Sequence, residues 1–162
     1  CPALPLGHHG GRSMYKHILI STDGSEVAQK GVDHGLSLAK SLAARVTVIT
    51  VTEPFPYYAA ASSAGWAPLP IDISGYEEGQ KDLADKLLAG VKEAATKLGV
   101  EASILYVPNS RPAEAIVETA RTQGCSLIVM SSHGRRGLGR MLLGSQTAEV
   151  LAHSPVPVLV VR

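Results

Sequence analysis

The chain predicts an α/β fold: a single doubly wound, five-stranded parallel sheet in the order 3-2-1-4-5, with helices on both faces. Three observations predict it. Short runs rich in β-branched residues alternate along the chain with stretches whose apolar residues recur every three or four positions. Two of the runs, Ile18 to Ile20 and Leu127 to Met130, are apolar throughout, as strands covered on both faces of a parallel sheet are. The two most turn-like loops, Ser21 to Ser25 and Ser131 to Gly144, each follow a strand, where connections diverge in such a sheet and open a crevice above its carboxyl ends.

Residues 1–13, CPALPLGHHGGRS, carry no period and read as a disordered leader, an expression remnant, with Met14 the native start and one domain over 14–162. Ile18 to Ile20 forms the middle of the first strand. Ala28, Val32, Leu36, Ala39 and Ala43 mark the first helix, and Val46 to Val51 the second strand. A second helix runs on Leu83, Leu87, Val91, Ala94 and Leu98 and stops at Gly99, whose missing side chain suits a left-handed cap. Ala102 to Val107 is the third strand. Ser110 is placed to cap a third helix that has Pro112 in its first turn and Ala113, Ile116, Val117 and Ala120 along its inner face. Leu127 to Met130 is the fourth strand, and Gly144 and Ser145 open a last helix. Val156 to Val161 is the fifth strand, with Pro157 tolerable only near an edge or a strand start.

The stretch from Glu53 to Gly75 fits neither period. It holds Pro54, Pro56, Pro68 and Pro70 together with Phe55, Tyr57, Tyr58 and Trp66, and it leaves the second strand on the crevice side. A lid, a partner surface and a loose insertion are all consistent with that composition.

Fifteen basic and fourteen acidic residues leave a net charge of +1, which supplies no field for nucleic acid or a membrane surface. No apolar run is long enough to span a bilayer. With two cysteines, Cys1 and Cys125, a disulfide framework is not expected, and a reducing, cytoplasmic setting is. His17, His34, His133 and His153 lack metal-ligand spacing. Cys125 precedes its strand, so it belongs at the end of the sheet opposite the crevice, as a small core residue.

Function concentrates between Leu127 and Ser145. After the apolar run come Ser131, Ser132, His133, Gly134, Gly137 and Gly139, with Arg135, Arg136 and Arg140 among them. A bending loop rich in small residues, followed by a helix N-terminus whose first N–H groups lack partners, forms a phosphate cradle. Glycines there also serve as plain turns, and Ser145 as a plain N-cap.

YKHILISTDGSE at the start, RPAEAI in the third helix, SSHGRRGLGRMLLGS and the SPVPVLVV ending together resemble the universal stress protein family over nearly all of 14–162. The family's nucleotide signature is a glycine, two residues, a glycine, nine residues, then glycine with serine or threonine. Gly134 takes the second place and Gly144 with Ser145 the last; Ser131 stands where the first glycine is expected. The resemblance implies an adenine-nucleotide hydrolase-like fold binding ATP, ADP or AMP, with Mg²⁺ or Mn²⁺ accompanying the phosphates.

It places Ser21, Thr22 and Asp23 near adenine and ribose, and main-chain groups of Val51 at the adenine. Met130, Ser131, Ser132, Gly134 and Arg135 follow the sugar and phosphates, and Ser145 and Gln146 give donors to phosphate oxygens. It also implies a homodimer through 156–161, and a stress sensor or regulator with unidentified protein partners. Hydrolysis is expected to be slow or absent, because no general base is evident. A nucleotide-free dimeric scaffold is the alternative, supported by Ser131. An adenylating ligase is a further one, opposed by the single short turn after the first strand.

Overall fold

Five parallel strands form the sheet, and the alternation of their side chains divides the core into two layers. They are β1 (His17–Ser21), β2 (Arg45–Val51), β3 (Ala102–Val107), β4 (Leu127–Ser131) and β5 (Val158–Val161), in the spatial order β3-β2-β1-β4-β5. The computed structural model describes residues 13–56, 72–133 and 143–162. Gly134 and Arg135, the other loop arginines, Tyr57, Tyr58, Trp66 and almost all of the leader therefore lie outside the described residues. β1 pairs with β2 on one side and β4 on the other, so the chain reverses direction across the sheet at β1, as a doubly wound sheet requires.

Ile18, Ile20, Val46, Val48, Leu127 and Val129 face one layer, where helices α1 (Glu26–Leu42) and α2 (Ile73–Leu98) cover them. Leu19, Ile49, Ile128 and Met130 face the other, under α3 (Pro112–Thr122) and α4 (Ser145–His153). Because successive residues point to opposite faces, both layers need apolar side chains, which explains the unbroken apolar runs. The fold class is as expected, with helices on both faces.

Helix ends follow local chemistry. Ser25 caps α1, its hydroxyl accepting from Ala28 N at 3.2 Å, and Ala43 at φ 52° ends it. Gly99 ends α2 at φ 74°, a region open to glycine. Gly35 lets α1 lie close on the sheet: a Cβ there would stand 2.5 Å from Ile20 Cδ1.

Four expectations need correction. α2 begins at Ile73 behind Asp72, whose carboxylate accepts from Gly75 N at 2.9 Å, so Ile73 to Gly75 are helix and not loop. The core stripe of α2 is Ala84, Leu88, Val91 and Ala95; Leu83 and Leu98, expected inside, are exposed. Ser110 does not cap α3: its hydroxyl donates to Pro108 O, and the cap position is Arg111, whose side chain makes no capping hydrogen bond. β5 begins at Val158, because Pro157 has no N–H for the ladder and Val156 stands outside it.

Candidate functional site

A cavity of about 690 Å³ opens over the carboxyl ends of β1, β2 and β4. Its floor comes from the two diverging loops. After β1, Thr22 N donates to Ile49 O at 3.0 Å and Thr50 Oγ1 to Thr22 O at 2.6 Å, which tie the turn to β2. Gly24 at φ 77° turns the chain, and Asp23 Oδ1 accepts from Ser25 N at 3.0 Å, so Asp23 shapes this turn as well as lining the cavity. Ser21 and Thr22 line it too.

On β2, Arg45 N reaches toward β1 and Val46 N toward β3. That alternation turns the N–H and C=O of Val51 toward β1, beyond the rung that Thr22 N makes with Ile49 O.

After β4, Ser131 is buried; its hydroxyl donates to His133 O at 2.7 Å, and its φ is not positive. The departure from glycine therefore brings no backbone strain, and the hydroxyl is used to brace the loop. Gly144 is needed for closeness, since a Cβ there would meet Ser132 O at 3.0 Å while Gly144 N donates to that same oxygen at 2.8 Å.

The first turn of α4 is left open. Gly144 is its N-cap, and no side chain caps it. Thr147 Oγ1 donates to Ser131 O at 3.0 Å, and Gln146 Oε1 accepts from Ala113 N at 3.0 Å, in effect capping α3. The first helical rung is Ala148 N to Gly144 O. The N–H groups of Ser145, Gln146 and Thr147 and the Ser145 hydroxyl thus have no partner among the described residues, at the positive end of the helix dipole. His133, also on the cavity, has Nδ1 2.8 Å from Ser132 Oγ, and its buried Nε2 has no partner among the described residues.

The structure brings together Ser21, Thr22, Asp23, Val51, Met130, Ser131, Gly144, Ser145 and Gln146 around one space. Ser132 does not line it: buried, it donates its N–H to Val161 O at 2.8 Å and serves as a brace. Sequence reasoning missed the wall supplied by α2, namely Tyr76, Gln80, Leu83, Ala84 and Leu87, and also Thr147. The available signal was that α2 carries more leucines than one core stripe accommodates. Among the described residues no helix is long and apolar enough to cross a membrane, and no three His, Cys, Asp or Glu cluster as metal ligands.

Residues 14–162 match the profile of the universal stress protein family. The chain is 35% identical over 152 residues to a universal stress protein of Methanocaldococcus jannaschii, covering 94% of this chain and 85% of that one. Its fold superposes on the hypothetical protein MJ0577 with a TM-score of 0.75 at 28% identity, over 91% of this chain and 96% of that chain. The same fold occurs in a universal stress protein in complex with cAMP, at 23% identity and TM-score 0.66, over 91% of this chain and 97% of that one. One from Archaeoglobus fulgidus in complex with dAMP shares it at 17% identity and TM-score 0.65, over 92% of this chain and 99% of that one. Sequence, topology and the open helix end over the switch point agree: the chain belongs to the universal stress protein family.

Proposed function

We propose that this protein binds an adenine nucleotide, ATP foremost, in the cavity above β1 and β4, and acts as a cytoplasmic dimeric stress sensor or regulator. One observation carries the reading. Three N–H groups and a hydroxyl at the start of α4, without partners among the described residues, open on the same space as Asp23 and the main chain of Val51. Free amides at a helix N-terminus favour phosphate oxygens, and a carboxylate accepts from ribose hydroxyls. Two proteins of this fold hold cAMP and dAMP, which agrees with it. Ser131 leaves the space open, so the nucleotide-free scaffold gains no support from it. Gly134 and Arg135 complete the phosphate side by resemblance.

Mg²⁺ or Mn²⁺ would be held mainly by phosphates and water, with Asp23 and Glu53 the carboxylates on the cavity. Hydrolysis would be slow or absent. Among the described residues β5 lies at the sheet edge and pairs with β4 alone, which suits a two-fold dimer through that strand.

Calorimetric titration of the purified protein with ATP, ADP and AMP tests the reading. Saturable binding that weakens when Asp23→Ala or Gly144→Val is introduced supports it. Absence of binding by the folded protein at millimolar nucleotide overturns it. Sedimentation at high micromolar concentration tests the dimer, and a monomer there would refute it.

A further inference from the structure

The wall built by α2 is unlike the floor. A period of 3.6 residues puts Tyr76, Gln80, Leu83, Ala84 and Leu87 on one side of the helix, beside its core stripe. The Tyr76 ring stands edge-on to Phe55, with centroids 5.0 Å apart. Leu83 is 57% exposed although it lines a cavity, so a flat apolar ring laid against it would remove apolar surface from water. The phosphate-seeking groups all belong to the opposite side, at the start of α4. A guest with an anionic end and a ring system is thereby oriented with its ring toward α2.

Gln80 interrupts this wall. Its side chain is half-buried, lines the cavity and makes no hydrogen bond among the described residues. An amide in such a place gains when a ligand supplies both an acceptor and a donor.

We propose that Gln80 is a specificity-determining residue that reads the base of the nucleotide and selects adenine, an inference that rests on the nucleotide reading above. Val51 presents one N–H and one C=O toward the β1 side, a pair that matches N1 and the amino group of adenine. The neighbouring edge, amino group and N7, remains for Gln80. There adenine shows a donor beside an acceptor, the complement of a carboxamide, whereas guanine shows two acceptors. The Gln80 carbonyl accepts from the amino group and its NH₂ donates to N7.

The test is titration of the wild type and Gln80→Leu with ATP, 7-deaza-ATP and GTP, with thermal unfolding as a check on folding. Wild type is expected to bind ATP about tenfold more tightly than either analogue. Gln80→Leu is expected to lose about that factor for ATP and little for 7-deaza-ATP, so that the two become equal. An unchanged ratio of ATP to 7-deaza-ATP in a Gln80→Leu protein that binds ATP overturns the role of Gln80 and leaves nucleotide binding intact. A wild type that prefers ATP over neither analogue overturns it without any variant. A folded wild type that binds none of the three at millimolar concentration overturns both readings.

Discussion

The two ends of the sheet treat polar groups in opposite ways. At the amino ends of the strands, His17 Nε2 lies 2.8 Å from Thr47 Oγ1, which donates to Gln123 Oε1 at 2.9 Å, while Nδ1 lies 3.2 Å from Gln123 O. Cys125 Sγ is 3.8 Å from that ring nitrogen. Every member has a partner within the protein. At the carboxyl ends the amides of α4 and the Gln80 side chain have none among the described residues. Pairing within the fold secures stability, and polar groups left unpaired at an open cavity are available to a guest.

Four substitutions or titrations would break or sharpen this contrast, from the largest effect to the smallest. His17→Leu strands Thr47 and Gln123 and should cost about 2–4 kcal/mol in denaturant unfolding, with nucleotide affinity unchanged. A comparable loss of affinity would erase the distinction between the ends.

Gly144→Ala presses a methyl group on Ser132 O and should weaken ATP binding roughly tenfold, at a stability cost of about 1 kcal/mol. Calorimetry beside thermal unfolding separates the two quantities.

The closed end should also govern pH dependence. Burial, and next the positive charge of Arg45, hold the His17 pKa below its usual value. The unfolded chain then takes up a proton at this site before the folded one does. The resulting stability is complete above the ordinary histidine range and is lost as pH falls through the depressed folded value. Burial pushes the Cys125 thiol up to about 11 from 9.0. Its stability is present below 9.0 and lost as pH rises toward about 11, roughly 1 kcal/mol by pH 10. Denaturant midpoints across pH 5–10 for the wild type and Cys125→Ala check the alkaline arm: its slope should flatten in the variant.

Ser145→Ala should be the mildest, a few-fold loss of ATP affinity with no change in unfolding, because the hydroxyl makes no bond among the described residues. A shift in midpoint would mean that it caps the helix after all.

The sheet was legible in the sequence because strands covered on both faces must be apolar at every position, and Ile18–Ile20 and Leu127–Met130 are. The cavity floor was legible because loops after β1 and β4 must meet at a switch point. The start of α2 was not. Ile73 to Gln80 contains two glycines, poor helix formers, and its helicity depends on the Asp72 cap and on packing of Tyr76 against Phe55. Leu83 was misplaced because a leucine on a cavity wall is indistinguishable in sequence from one in the core. Ser110 was misread as a cap because Gln146, a residue far along the chain, supplies the acceptor for Ala113 N.

Ser132 sits between the edge strand and the start of α4. Its N–H holds Val161 O, and its carbonyl receives Gly144 N and, at 3.3 Å, Thr147 Oγ1. The backbone of this one residue thus joins the edge strand to the first turn of α4. That residue is a direct hydrogen-bonded link between the edge and the anion-seeking amides. Any coupling between a neighbour docked on β5 and a phosphate at α4 would therefore be reciprocal, each altering the other's affinity by the same factor.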